Sequence, residues 1–167
     1  MGRDMYDKGL EIRKAVLGEE YVANALARAD AFNQPLQDLV TEYCWGAVWG
    51  RDGLARRDRS LINLAMIAIL NRPHELRAHV RGALTNGLTR AEISEVLLQV
   101  AIYGGVPCAV DSFRIASETF AELDAAANAS ENAMANPGVN PAAHAAAQAP
   151  TAAPTSSASA PTTGKAG

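Results

Sequence analysis

The sequence predicts an all-α fold of six to seven helices, and three observations carry that reading. No window alternates apolar and polar residues as a half-buried strand would. Apolar residues recur at three- and four-residue intervals through the first 124 positions. Gly, Pro and Asn-Gly punctuate those runs where helices stop and start. The spacing predicts a first helix over 5–17, on Met5, Leu10, Ile12, Val16 and Leu17, with Gly18 as its stop. Tyr21, Val22, Ala25 and Leu26 continue at helical intervals. A third helix is expected from Asn33 as N-cap, with Pro35 in its first turn. It runs through Leu36, Leu39, Val40, Tyr43 and Val48 to Gly50, where Gly50-Arg51-Asp52-Gly53 breaks it. A fourth covers 57–71 and is apolar nearly all round, so it is expected to be the buried one. Pro73 opens a fifth, which Asn86-Gly87 closes. Thr89-Arg90-Ala91-Glu92 is a capping box for a sixth, whose stripe is Ile93, Val96, Leu97, Val100 and Ala101. Gly104-Gly105 stop it, and Pro107 starts a seventh expected to end near Leu123.

Composition divides the chain once. All aromatic residues lie between Tyr6 and Phe120, whereas 125–167 holds 17 alanines and five prolines and only two formally charged residues, Glu131 and Lys165. Such a segment buries too little apolar surface to offset its ordering entropy. The reading is therefore a helical domain over 1–124 and a disordered Ala/Pro/Thr/Ser-rich tail over 125–167, its alanines able to extend the last helix by a turn or two. A formal net charge of −3 gives no basic field for nucleic acid. The longest aliphatic run, Leu64 to Leu70, is far shorter than the ~20 residues of a membrane helix. The N-terminus has no apolar signal core, and Tyr6 breaks the myristoylation pattern, so a cytoplasmic protein is expected. Cys44 and Cys108 form neither a disulfide framework nor a zinc pattern, and no metal site is expected.

Arg72, Glu75 and His79 stand at i, i+3 and i+7, on one face of the turn entering the fifth helix and its first turns. A histidine with a carboxylate four residues away is either a tuned acid or base, or a helix-surface pair worth a few tenths of a kcal/mol. Trp45 and Trp49 are i, i+4 on the third helix, followed by Arg51 in a Gly-rich loop. They read as core, or as an apolar wall beside an anion-binding arginine. Arg56, Arg57 and Arg59 cluster before the fourth helix, where one or two suit a dianion and the rest are solvated. Tyr103-Gly104-Gly105-Val106-Pro107 is a sharp interhelical turn, its backbone N–H groups able to meet an oxyanion.

These stretches together resemble the carboxymuconolactone decarboxylase family. The likeness runs through YDKGLEIRKAVLG, through the segment from YCWGAVWGRDGL to AIYGGVP, and through SFRIASETF. It implies an all-helical subunit that assembles into homo-oligomeric rings, commonly trimers or hexamers, with sites near subunit contacts. In the peroxidase branch of the same superfamily the fifth helix carries Cys-x-x-Cys-x-x-x-His. Here Arg72 and Glu75 occupy the cysteine positions, His79 the histidine, and Ser60 the place of an upstream glutamate. Without the thiol pair, dithiol peroxidase chemistry cannot run. Gly104 stands where decarboxylase relatives often have Cys after the turn tyrosine, and Cys108 lies one helical turn on.

The implied reaction is decarboxylation of 4-carboxymuconolactone to the β-ketoadipate enol-lactone in protocatechuate breakdown. The leaving carboxylate is bonded to a ring carbon next to a C=C conjugated with the lactone carbonyl. Loss of CO2 pushes the electron pair into that carbonyl, so the substrate brings its own sink and no cofactor is expected. The roles implied are His79 as acid, oriented by Glu75; Arg51, Arg59 or Arg72 on the remaining carboxylate; Trp45 and Trp49 as an apolar wall; and Tyr103 as a further substrate-binding residue. A redox protein of the peroxidase branch and a non-catalytic helical oligomer remain the alternatives.

Overall fold

The computed structural model describes residues 2–135, and among them every regular element is a helix. The helices are α1 (Arg3–Leu17), α2 (Glu19–Ala27), α3 (Gln34–Leu39), a π-helix (Val40–Trp49), α4 (Arg56–Ile69), α5 (Pro73–Thr85), α6 (Arg90–Tyr103) and α7 (Val106–Ala135). The all-α reading holds. The capping box is present as the sequence implies: the Thr89 hydroxyl accepts from the Glu92 N–H, and the Glu92 carboxylate accepts from the Thr89 N–H. None of the described helices is long and apolar enough to cross a membrane.

Three expectations need correction. The third helix is not one α-helix: α3 gives way at Val40 to ten residues of i→i+5 bonding. Its buried residues are Thr41, Trp45, Gly46 and Trp49, while Tyr43 and Val48, like Leu36 and Leu39 of α3, are exposed. The cause lies in α1, which packs along this segment. A Cβ on Gly9 would lie inside the Thr41 carbonyl oxygen, and one on Gly46 inside that of Met5. Backbone meets backbone there, and the wider turn presents the two glycine edges to each other.

The fourth helix is not buried all round. Ser60, Leu64 and Ala68 face the core, but Ile62, Met66 and Ile69 remain about half exposed among the described residues. The seventh helix does not end near Leu123 but continues to Ala135, three turns of it alanine-rich. Alanine is the best helix former, and the first breaker downstream is Pro137. The rest of the expected tail, 136–167, lies outside the described residues.

Residues 2–125 form one compact unit with two buried clusters. The larger joins α4, α5, α6 and α7 through Leu64, Leu76, Val80, Ile93, Leu97, Val100 and Ile115. The smaller joins α1 to the π-helix through Ile12, Val16, Trp45 and Trp49. Helix α5 also packs on α1, with Gly82 against Val16, so His79 of α5 is carried toward the smaller cluster.

Helix propensity alone would make Gly9→Ala a gain of about 1 kcal/mol. The overlap with the Thr41 carbonyl makes it a loss of about 1–3 kcal/mol instead. Gly53→Ala, with nothing within 4 Å of the added carbon, is expected to be neutral. Urea denaturation of both variants measures the contrast.

Candidate active site

Trp45 and Trp49 lie one turn apart on the buried face of the π-helix, their ring centroids 4.8 Å from each other. From α5 the His79 ring approaches both, at 6.4 Å from each, and stands nearly parallel to Trp45 with an interplanar angle of 7°. These are the separations that offset aromatic pairs prefer. Burial among the indoles disfavours the imidazolium and lowers the His79 pKa below its ordinary value, while the Glu75 charge opposes this more weakly. His79 is therefore mainly neutral near pH 7 in the free protein. Glu75 is exposed in the first turn of α5 and makes no hydrogen bond to His79 among the described residues. The imidazole packs against the indole rings, and the Glu75 charge acts on it through space.

Beside the indoles lies a pocket of about 440 Å³ between α1, the end of the π-helix and the loop to α4. Lys8, Arg51 and Arg56 bring three positive charges to it and Asp52 one negative, while Ile12, Trp49 and Leu54 supply apolar wall. Its size suits a small ligand and its charge an anion. The loop is tied at two points. Lys8 Nζ donates to the Gly50 carbonyl at 2.8 Å, and Arg59 Nη2 donates to the Arg51 carbonyl at 3.1 Å. Trp49 belongs to both the pocket wall and the cluster around His79.

Trp45, Trp49 and His79 thus come together, and Arg51 lines the adjoining pocket. Arg59 supports the loop from beneath rather than lining it. The three clustered arginines divide: Arg56 reaches the pocket, Arg57 pairs with Glu92 of α6, and Arg59 braces the loop. Arg72 is exposed at the N-terminus of α5 and outside the pocket lining. Tyr103 is 82% exposed at the end of α6 and is no part of the indole–imidazole cluster. Burial pushes the Cys44 thiol up, against a smaller opposing effect of Arg13, so it stays protonated; Cys108 packs against the larger core. Sequence reasoning missed Lys8, because its partner is 42 residues away, and it missed Arg13, a buried cation on α1.

The model of the carboxymuconolactone decarboxylase family matches residues 34–118, from α3 into α7. The chain belongs to the carboxymuconolactone decarboxylase family. It is 43% identical over 121 residues to nitrosuccinic acid decarboxylase of Metarhizium robertsii, covering 72% of this chain and 85% of that one. It is 40% identical over 121 residues to 4-carboxymuconolactone decarboxylase of Acinetobacter baylyi, covering 72% and 90%. With family members of these names at this identity and coverage, the chain is a carboxy-lyase.

The His79 environment makes two opposite shifts measurable. Trp45→Ala admits water and is expected to raise the His79 pKa toward the ordinary value. Glu75→Gln removes the opposing charge and is expected to lower it further. NMR titration of the imidazole carbons reads both.

Proposed function

We propose that the chain decarboxylates 4-carboxymuconolactone, holding the substrate's acetate arm in the Lys8–Arg51–Arg56 pocket and presenting the lactone ring to His79 past Trp49. The observation that supports this most is the imidazole packed against a pair of indoles next to a three-cation pocket. The cations bind the carboxylate that stays. The indole surface surrounds the carboxylate that leaves, where low polarity favours neutral CO2 over the anion. The C–C bond to the leaving carboxylate breaks, and its electron pair moves through the ring C=C onto the lactone carbonyl oxygen. The dienolate then takes a proton at the ring carbon alpha to that carbonyl. One proton is consumed for each CO2 released.

His79 is the proton donor in this reading. It is mostly neutral in the free enzyme, but a bound dianion raises its pKa. Substrate binding therefore charges the acid that the next step uses. Solvent supplies that proton as each substrate binds, and the imidazole is left neutral when product leaves. Glu75 assists by its charge, and Arg59 by fixing the loop that carries Arg51. Arg72 is the remaining candidate for a substrate carboxylate, from the start of α5.

A second substrate is favoured by the 43% identity to a nitrosuccinic acid decarboxylase. Nitrosuccinate is also a dicarboxylate with a built-in sink, since the nitro group accepts the electron pair as the C–C bond breaks. The same cations and the same acid serve it. A thiol peroxidase is poorly supported, since the positions of its cysteine pair hold Arg72 and Glu75 and Cys44 is protonated. We also propose a homo-oligomer, a trimer or hexamer. Ile62, Met66 and Ile69 of α4, with Ile102 and Tyr103 of α6 and Val106 and Val110 of α7, are large apolar residues left exposed in the single chain. Tyr103 then belongs to a subunit contact. Analytical ultracentrifugation is expected to find a trimer or larger ring; a monomer at micromolar concentration would remove this part of the reading.

Turnover of each substrate is followed by CO2 release. His79→Ala is expected to lower kcat by about 10²–10⁴-fold while the protein stays folded. The acid form of His79 is lost as pH rises through its pKa. So kcat/KM, which reports the free enzyme, should fall on the alkaline side of a pKa below the ordinary histidine value of ~6.5. The fall in kcat should lie at higher pH, because the bound dianion holds the proton on. A His79→Ala enzyme with near-wild-type turnover would remove His79 from the mechanism.

A further inference from the structure

We propose that Arg13 is a positioning residue for the site: its guanidinium fork pins the change from α- to π-helical register and thereby sets where Trp45 and Trp49 meet His79. Arg13 projects from α1 and is only 6% exposed. Its Nη1 donates to the Thr41 hydroxyl and its Nη2 to the Gln37 side-chain carbonyl, both at 3.0 Å. Gln37 is in α3 and Thr41 is the second residue of the π-helix. The two acceptors therefore lie on either side of the point where i→i+4 bonding gives way to i→i+5. A rigid planar fork fixes the spacing and rotation between two such acceptors as a single contact does not.

Stability alone is a poor account of this residue. A buried guanidinium ordinarily faces a carboxylate, because desolvating a charge is costly. Here both acceptors are neutral, and Nε is buried with no hydrogen-bond partner among the described residues. An apolar side chain would avoid that cost. What it would not do is hold the register. Long π-helices are rare because the geometry is intrinsically weaker than the α-form, so the segment needs an outside constraint. Without the fork, residues 40–49 relax toward i→i+4 bonding, and both indoles turn away from the imidazole.

The inference concerns ring geometry and does not rest on which substrate is used. Two indoles 4.8 Å apart couple their excited states and give a signed couplet in far-ultraviolet circular dichroism. The full chain is compared with Arg13→Lys, Arg13→Met and Thr41→Val, and Trp45→Phe identifies the couplet by abolishing it. Thr41→Val removes one acceptor and keeps the shape. It is expected to unfold cooperatively yet show a reduced couplet. Its kcat/KM, on whichever of the two substrates the wild type turns over, should fall on the order of 10²-fold. Arg13→Met should behave likewise, and Arg13→Lys should restore neither signal, because an ammonium lacks the fork. Folded Thr41→Val with wild-type couplet and kinetics would overturn the proposal, as would a lowered melting temperature with both signals intact. If Arg13→Met does not fold, Thr41→Val decides. If the wild type turns over neither substrate, the couplet alone decides.

Discussion

The close approach of α1 to the π-helix is the constraint on which the rest of the site depends. Two glycines remove the side chains that would hold the backbones apart, and the missing volume lets carbonyl groups of one helix sit against the other. Every functional element on the N-terminal side is referred to that contact. The indoles are on the helix so held, and Lys8 ties the loop after it. Ile12 joins the indole cluster on one side and the cationic pocket on the other. The imidazole arrives on α5, which is seated on α1 in turn. A shift of α1 would thus move the aromatic wall and the anion pocket together.

The other half of the site is set by α5, and polar contacts at the surface complete its seating. Arg77 and Arg81 of α5 pair with Glu118 and Glu122 of α7. These groups are a third to a half exposed and screened by solvent, so the pairs contribute more to alignment than to stability. The apolar cluster beneath, around Leu76, Val80 and Ala83, supplies the larger stabilisation by removing whole side chains from water. His79 lies between these two environments. Its neighbours are apolar enough to depress its charge, yet the carboxylate of Glu75 is near enough to be felt.

Most of the fold was legible because helix boundaries here are written in local chemistry. The Thr89–Glu92 box, Gly18, Pro73 and Asn86-Gly87 all mark ends that the chain respects. The π-helix is not legible in the sequence, because the contacts of α1 with this segment join residues far apart in the chain, Gly9 with Thr41 over 32 positions among them. The exposed side of α4 was misread for a related reason. Apolarity marks a surface that seeks burial, not the partner that supplies it. At the site, Trp45 with Trp49 and Glu75 with His79 were visible as spacings within single helices. That the imidazole would pack against both indoles is a fact of tertiary packing. Lys8 and Arg13 carry no local mark at all; only their distant acceptors give them roles.

A π-helix differs from an α-helix over the same span by accommodating extra residues between fixed ends. Variation in this segment is therefore a matter of length as well as identity. Loss of one residue between Val40 and Trp49 would leave a helix, with both ends still anchored, but would bring a different side chain opposite the imidazole. Insertion and deletion, usually confined to loops, become at this place a means of exchanging one wall of the candidate site in a single step.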